Sequence, residues 1–109
     1  MIARIWSGKT TLENYQAYSE FLIEVAIPDY KKINGCIELT FLKAITIDGL
    51  GHFKLISIWD GIESIKEFAG SDFQKAKFYT EDEFFLIEKD EVVEHFEVFE
   101  PETIYGVFS

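Results

Sequence analysis

The sequence predicts an α+β fold of the ferredoxin-like type, a β-α-β-β-α-β chain whose antiparallel sheet carries both helices on one face. Three observations lead there. Two β-prone runs, residues 36–47 and 52–59, flank the turn Asp48-Gly49-Leu50-Gly51 and read as a hairpin. Apolar residues at three- and four-residue spacing stand on either side of that hairpin, as amphipathic helices require. Further β-prone runs open and close the sequence, and right-handed crossovers between them place both helices on the same side.

The opening run, residues 1–7, is short and apolar, and Gly8 ends it. Thr10-Thr11-Leu12-Glu13 fits a capping box, in which a Thr hydroxyl serves a free backbone N–H while Glu13 reaches back, so a helix is expected to start there. Tyr15, Tyr18, Phe21, Leu22 and Val25 form its apolar stripe. Pro28 lacks the N–H for an i−4 bond, which predicts an end or kink at Ile27 and a second turn through Lys32 before Gly35. In residues 36–47, Ile37, Leu39, Phe41, Ile45 and Ile47 alternate with polar neighbours; residues 52–59 return beside them. Asp60 and Glu63 are spaced as an N-cap and its partner, and Ile62, Ile65, Phe68 and Ala69 carry a second helix to Ala69. Gly70-Ser71-Asp72 breaks it, Phe73, Ala76 and Lys77 predict another short helix toward Tyr79, and residues 80–83 read as an exposed acidic loop. Residues 92–100 form the last strand, with Phe96 and Val98 on one face and Val93, His95, Glu97 and Phe99 on the other. Residues 1–100 make one domain and residues 101–109 a tail.

Composition narrows the function. A chain of 109 residues, 48% apolar and 28% charged, suits one packed core. The formal net charge is −10, and half of the acidic residues lie between Glu81 and Glu102, where Lys89 is the only base. Such a field repels phosphate backbones and anionic lipid, so nucleic acid and membrane surfaces are not expected partners. No apolar run is long enough to span a bilayer, and the first residues read as a strand rather than a secretory leader; a soluble, cytoplasmic protein is expected. Cys36 is the only cysteine, which leaves no internal disulfide and no thiolate metal site; it reads as a small core residue. With no glycine-rich phosphate loop and no Ser-His-Asp set, neither metal nor other cofactor is expected.

A sheet with both helices on one side leaves its other face bare. Phe, Leu and Ile side chains of residues 36–47 are expected on that face, and a patch of that size calls for a cover. A second copy supplies one: two sheets closing face to face give a homodimeric α+β barrel. The eleven Phe and 17% aromatic content suit such an interface, and the tail Ile104-Tyr105-Gly106-Val107-Phe108 is apolar enough to lie across the partner.

The segment Ile56-Ser57-Ile58-Trp59-Asp60-Gly61-Ile62-Glu63-Ser64-Ile65-Lys66-Glu67-Phe68, supported by residues 73–79 and by Val93-Glu94-His95-Phe96-Glu97-Val98, resembles the strand-Trp-cap-helix signature of the antibiotic biosynthesis monooxygenase superfamily, in particular its short bacterial members. The resemblance covers about the first hundred residues. It implies a dimeric α+β barrel and a monooxygenase that works without metal or flavin on a small aromatic or polyketide-type molecule. In that mechanism the substrate is deprotonated to an electron-rich anion that reacts with O2. His95 would be the base, Arg4 would steady the anion, and Trp6, Trp59, Phe68 and Tyr79 would hold the substrate. Two departures stand beside the match. Phe68 occupies a place where many members carry His, and residues 73–79 lack the helical His of haem-degrading relatives, which leaves Tyr79 as the one side chain there able to ligate haem iron.

Each of these residues also has a structural reading. His95, in the last strand, is expected to point away from the helices, either as a base of shifted pKa or as an interface histidine satisfied by a neighbour. Arg4, the only arginine, either orients an anionic oxygen or forms a salt bridge with Glu97 across the first and last strands. Trp59 suits the strand-helix corner, His52 an exposed turn, and the stripe Tyr15, Tyr18, Phe21 and Phe68 either a pocket wall or core. Alternatives from other classes are a haem-binding or haem-degrading protein, a non-catalytic ligand-binding dimer, and an isomerase or cyclase that uses no oxygen.

Overall fold

A computed structural model describes residues 1–100 of the chain. The tail, residues 101–109, lies outside the described residues. Strand β1 (Ile2–Thr10) is followed by helix α1 (Tyr15–Phe21), a π turn (Leu22–Ala26) and helix α2 (Ile27–Lys31). The hairpin β2 (Cys36–Ile45) and β3 (Gly51–Trp59) comes next, then α3 (Ile62–Ala69), α4 (Asp82–Phe85), β4 (Leu86–Lys89) and β5 (Glu94–Glu97). The sheet runs β2-β3-β1, all antiparallel, and the far edge of β1 is shared. β4 pairs with Gly8–Thr10, and β5 pairs with Ile2–Ile5. The fold is the expected α+β sheet with its helices on one face.

Antiparallel partners point to the same side, so the register fixes both faces. Arg4, Trp6 and Thr10 of β1, Phe53, Leu55, Ser57 and Trp59 of β3, and Leu39 and Phe41 of β2 face the helices. Ile5, Leu42, Ile56, Ile58 and Phe96 face the other way, and no described element covers them. The open face is therefore apolar, but its residues come from β1, β3 and β5 more than from β2. Leu39 and Phe41 lie in the core, contrary to their expected place on the helix-free face.

Several elements depart from the sequence expectation, each for a physical reason. β1 runs to Thr10, whose side chain is fully buried, so the Thr10 capping box does not form; the helix starts at Tyr15, and the Thr11 hydroxyl accepts the Asn14 N–H instead. Without a Pro28 N–H the α ladder cannot continue through Glu24, and the Ile27 N–H reaches back five residues to the Leu22 carbonyl. The wider turn moves the apolar stripe from Val25, which is exposed, to Ala26 and then Tyr30, both buried. Ile37 is the extra residue of a bulge opposite Trp59 and Ile58 and faces solvent, as does Ile47 beyond the strand end. Asp60 does not cap α3; it accepts the Ser64 hydroxyl, while Gly70 ends the helix at φ +90°.

Beyond Ala69 one expectation is overturned and a second holds only in part. Residues 73–79 form no helix, because their carbonyls are taken from outside: Arg4 donates to the Phe73 and Lys75 carbonyls that a helix would need for its own ladder. Of residues 80–83, Thr80, Glu81 and Glu83 are exposed as expected, but α4 begins at Asp82, which is buried, 3% exposed. The last strand is shorter than expected, Glu94–Glu97, and an additional strand, β4, precedes it on the same edge of β1. Asp90 lies between the two, donating its N–H to the Ser7 carbonyl and accepting the Ser7 N–H and the Trp6 indole N–H. No helix among the described residues is long and apolar enough to cross a membrane.

Candidate functional site

Aromatic rings fill most of the layer between sheet and helices. Tyr30 stacks on Phe68 at 4.3 Å, and Trp59, fully buried, lies behind both at the strand-helix corner with its indole N–H donated to Ser57 Oγ at 2.8 Å. In front of this cluster a cavity of about 30 Å3 remains, room for roughly two water molecules. Its lining includes Arg4, Trp6, Tyr18, Tyr30, Phe68, Lys77, Tyr79 and Asp82. Of the residues singled out from sequence, Arg4, Trp6, Tyr18, Phe68 and Tyr79 meet there; Trp59 supports the wall, and His95 stands outside the lining.

Arg4 is the centre of the arrangement. Only 3% exposed, it takes part in no ion pair among the described residues. Its Nη1 donates to the Phe73 carbonyl at 2.5 Å and its Nη2 to the Lys75 carbonyl at 3.2 Å. The expected salt bridge with Glu97 is absent because Glu97 sits opposite Ile2; the residue opposite Arg4 is His95. Arg4 Nη1 lies 3.1 Å from His95 Nε2. A guanidinium has only donors, so that nitrogen accepts and the imidazole is the neutral tautomer with its proton on Nδ1. Burial, and then the Arg4 charge, hold the His95 pKa below its ordinary value. Since it shares a face with Arg4 and packs edge-on against Phe73, His95 points to the helix side, not away from it. Its free lone pair is already engaged by Arg4.

The segment from Gly70 to Glu81 closes the cavity. Asp29 of α2 ties it down, accepting from Lys77 Nζ at 2.6 Å and from the Tyr79 hydroxyl at 2.7 Å. Burial raises the Asp29 carboxyl, but those two hydrogen bonds outweigh it and leave the pKa below the usual carboxylate range. The Tyr79 phenol is pushed up, by burial first and then by its bond to Asp29. Tyr30 is pushed up to about 12, chiefly by burial, and Tyr18 is raised by burial and by the nearby Asp82 carboxyl. All three phenols are protonated at neutral pH.

Asp82 was not visible as a site residue in the sequence, where it sits in an acidic run. Its Oδ2 reaches back to the Tyr79 N–H at 2.7 Å, as the acidic member of a capping box does, and its own N–H returns to the Tyr79 carbonyl. Oδ1 is buried with no hydrogen-bond partner among the described residues. Burial raises the carboxyl above its ordinary pKa despite the Tyr79 N–H. Tyr30, Lys77 and Asp29 were likewise missed. Only Tyr30 had a local signal, its spacing of four from Ala26 once a π turn is allowed.

No family model and no curated protein matches the chain. Solved structures do. A protein assigned as an antibiotic biosynthesis monooxygenase from Deinococcus radiodurans superposes with a TM-score of 0.68 at 14% identity, over 97% of this chain and 100% of that one. An ethyl tert-butyl ether d (ethd) family protein from Bacillus halodurans gives 0.55 at 18% identity, covering 91% and 100%. A second protein assigned as an antibiotic biosynthesis monooxygenase, from Bacillus cereus, gives 0.52 at 19%, covering 96% and 95%. The chain shares the fold of the antibiotic biosynthesis monooxygenase superfamily; at these identities the likeness speaks to the fold alone.

Proposed function

We propose that this protein binds a small oxygenated aromatic molecule in the cavity between sheet and helices, as a cofactor-independent monooxygenase-like protein, and that it works as a homodimer. One observation carries the reading: among the described residues, a buried Arg4 in no ion pair and a buried Asp82 with one oxygen unbonded line the same aromatic-walled cavity. Buried charges without a counter-charge are costly, and they are retained where a ligand completes them. In the reaction, a C–H acid next to a carbonyl or phenol gives its proton to the unbonded Asp82 oxygen, and Arg4 steadies the anion's oxygen. The anion then reacts with O2. One oxygen atom becomes a carbonyl on the former methylene carbon, the other leaves as water, and both C–H bonds of that carbon are spent, so the substrate supplies all four electrons. Trp6, Phe68 and Tyr79 wall the ring system, while His95 fixes the Arg4 guanidinium.

The uncovered sheet face supports the dimer. Ile5, Ile56, Ile58, Leu42 and Phe96 present an apolar surface that a second sheet would bury. A second reading, ligand binding without turnover, is favoured by the engagement of His95 with Arg4; either reading requires the cavity of about 30 Å3 to widen around its ligand. Oxygen-electrode assays with polycyclic phenols and their keto tautomers separate the two. Monooxygenase action predicts uptake above the protein-free rate that falls at least tenfold in Arg4→Met. Saturable binding with no added uptake selects the binding reading, and no binding of any such compound refutes both.

A further inference from the structure

We propose that Asp82 is the ligand-selecting group of the cavity, and that it selects molecules carrying a free hydroxyl, a phenol or an enol, against the corresponding ethers. The proposal rests on the small-molecule reading above and goes further by naming the atom that reads the ligand. Asp82 is 3% exposed, lines the cavity, and has one oxygen spoken for: Oδ2 holds the Tyr79 N–H at 2.7 Å. Oδ1 is buried with no partner within hydrogen-bond distance among the described residues, although the Tyr18 hydroxyl stands close to the carboxyl. A buried carboxylate oxygen left unsatisfied is strongly disfavoured, so a donor belongs there. Arg4 in the same lining has the opposite need, since its contacts are to two carbonyls and a neutral imidazole and none among the described residues is to an anion. A ligand that donates an O–H to Asp82 and offers an oxygen to Arg4 meets both. A methyl ether has no proton to give Oδ1 and would bury it unpaired.

The Tyr79 N–H makes the proposal sharp. It fixes which end of the residue faces it, so in Asp82→Asn the amide oxygen stays on that N–H and the amide NH2 turns to the cavity. The acceptor becomes a donor with almost no change of shape. The experiment is calorimetric titration of the wild-type protein and of Asp82→Asn with 4-nitrophenol and with 4-nitroanisole, at a pH below the phenol's own pKa. The expected result is a preference of at least about tenfold for the phenol in the wild type, which shrinks to within twofold or reverses in Asp82→Asn while thermal unfolding of the variant stays close to that of the wild type. Equal affinity of the wild type for both probes leaves the cavity reading standing and overturns the role of Asp82; so does a preference that survives the substitution, which would mark Oδ1 as a site for buried water only. The wild-type comparison needs no variant, so a failure of Asp82→Asn to fold does not shield the proposal. If the wild type binds neither probe, the small-molecule reading fails and this proposal falls with it.

Discussion

Replacing Asp29 by Ala should open the segment that closes the cavity while leaving the sheet intact. Asp29 accepts the Tyr79 hydroxyl at 2.7 Å and Lys77 Nζ at 2.6 Å, which are the two side-chain bonds from residues 70–81 to α2. A hydrogen bond to a charged acceptor contributes about 1.5–3 kcal/mol, and an ion pair with a lysine one-third exposed adds a few tenths at most after solvent screening. Losing both lowers the local opening free energy by about 2 kcal/mol, roughly thirtyfold in the opening equilibrium. Amide hydrogen exchange followed by mass spectrometry reads this directly. Peptides over residues 73–80, which include the Ala76 N–H bonded to Glu91, should exchange about thirtyfold faster, and peptides over β3 should not change. Tyr79→Phe should account for most of the effect and Lys77→Met for little. Unchanged protection at residues 73–80, or an equal rise in β3, would show that Asp29 does not hold this segment. The pH dependence has a definite sign. Because the folded Asp29 pKa lies below the unfolded one, the stabilisation is present above the ordinary carboxylate pKa, about 3.9, and is lost as pH falls through the depressed folded value.

Other consequences can be checked separately. Ile56→Lys, on the uncovered sheet face, should shift sedimentation toward a monomer with secondary structure retained; a dimer of unchanged strength would remove that face as the interface. Gly8→Ala places a methyl against the Trp6 ring, so it should cost about 1–3 kcal/mol in denaturant unfolding and alter tryptophan fluorescence, and an unperturbed spectrum would contradict the contact. His95, with its pKa lowered in the fold, contributes stability above its unfolded pKa near 6.5 that is lost as pH falls through the folded value. In His95→Gln the fall in stability between about pH 7 and pH 5 should flatten.

The elements that could be read from the sequence are those whose signal is local. Periodicity placed the central hairpin and α3 because each packs one face on one neighbour. The errors sit where distant groups override local pattern. Phe73, Ala76 and Lys77 have helical spacing, yet Arg4, far away in sequence, takes the carbonyls a helix would use. Asp82 looks like one more acid in an acidic run, and only the fold turns it inward. Arg4, Trp6, Phe68 and Tyr79 were legible as candidates because an isolated arginine and large rings on predicted strands and helices stand out. The pairing of Arg4 with His95 rather than Glu97 depends on a register of two residues that no local feature encodes.

The π turn at Leu22–Ala26 can be regarded as a single inserted residue. Everything after it, including Asp29 and Tyr30, is rotated by about 100° relative to an uninterrupted α-helix. A helix that kept every residue but closed this turn to an ordinary α turn would swing Asp29 away from Tyr79 and Tyr30 away from Phe68. Deleting Glu24 would instead remove the π turn and leave both in place, because Ile27 already holds the position that the fourth residue after Leu22 takes in an uninterrupted helix. For this protein the width of one turn decides whether its cavity has a door.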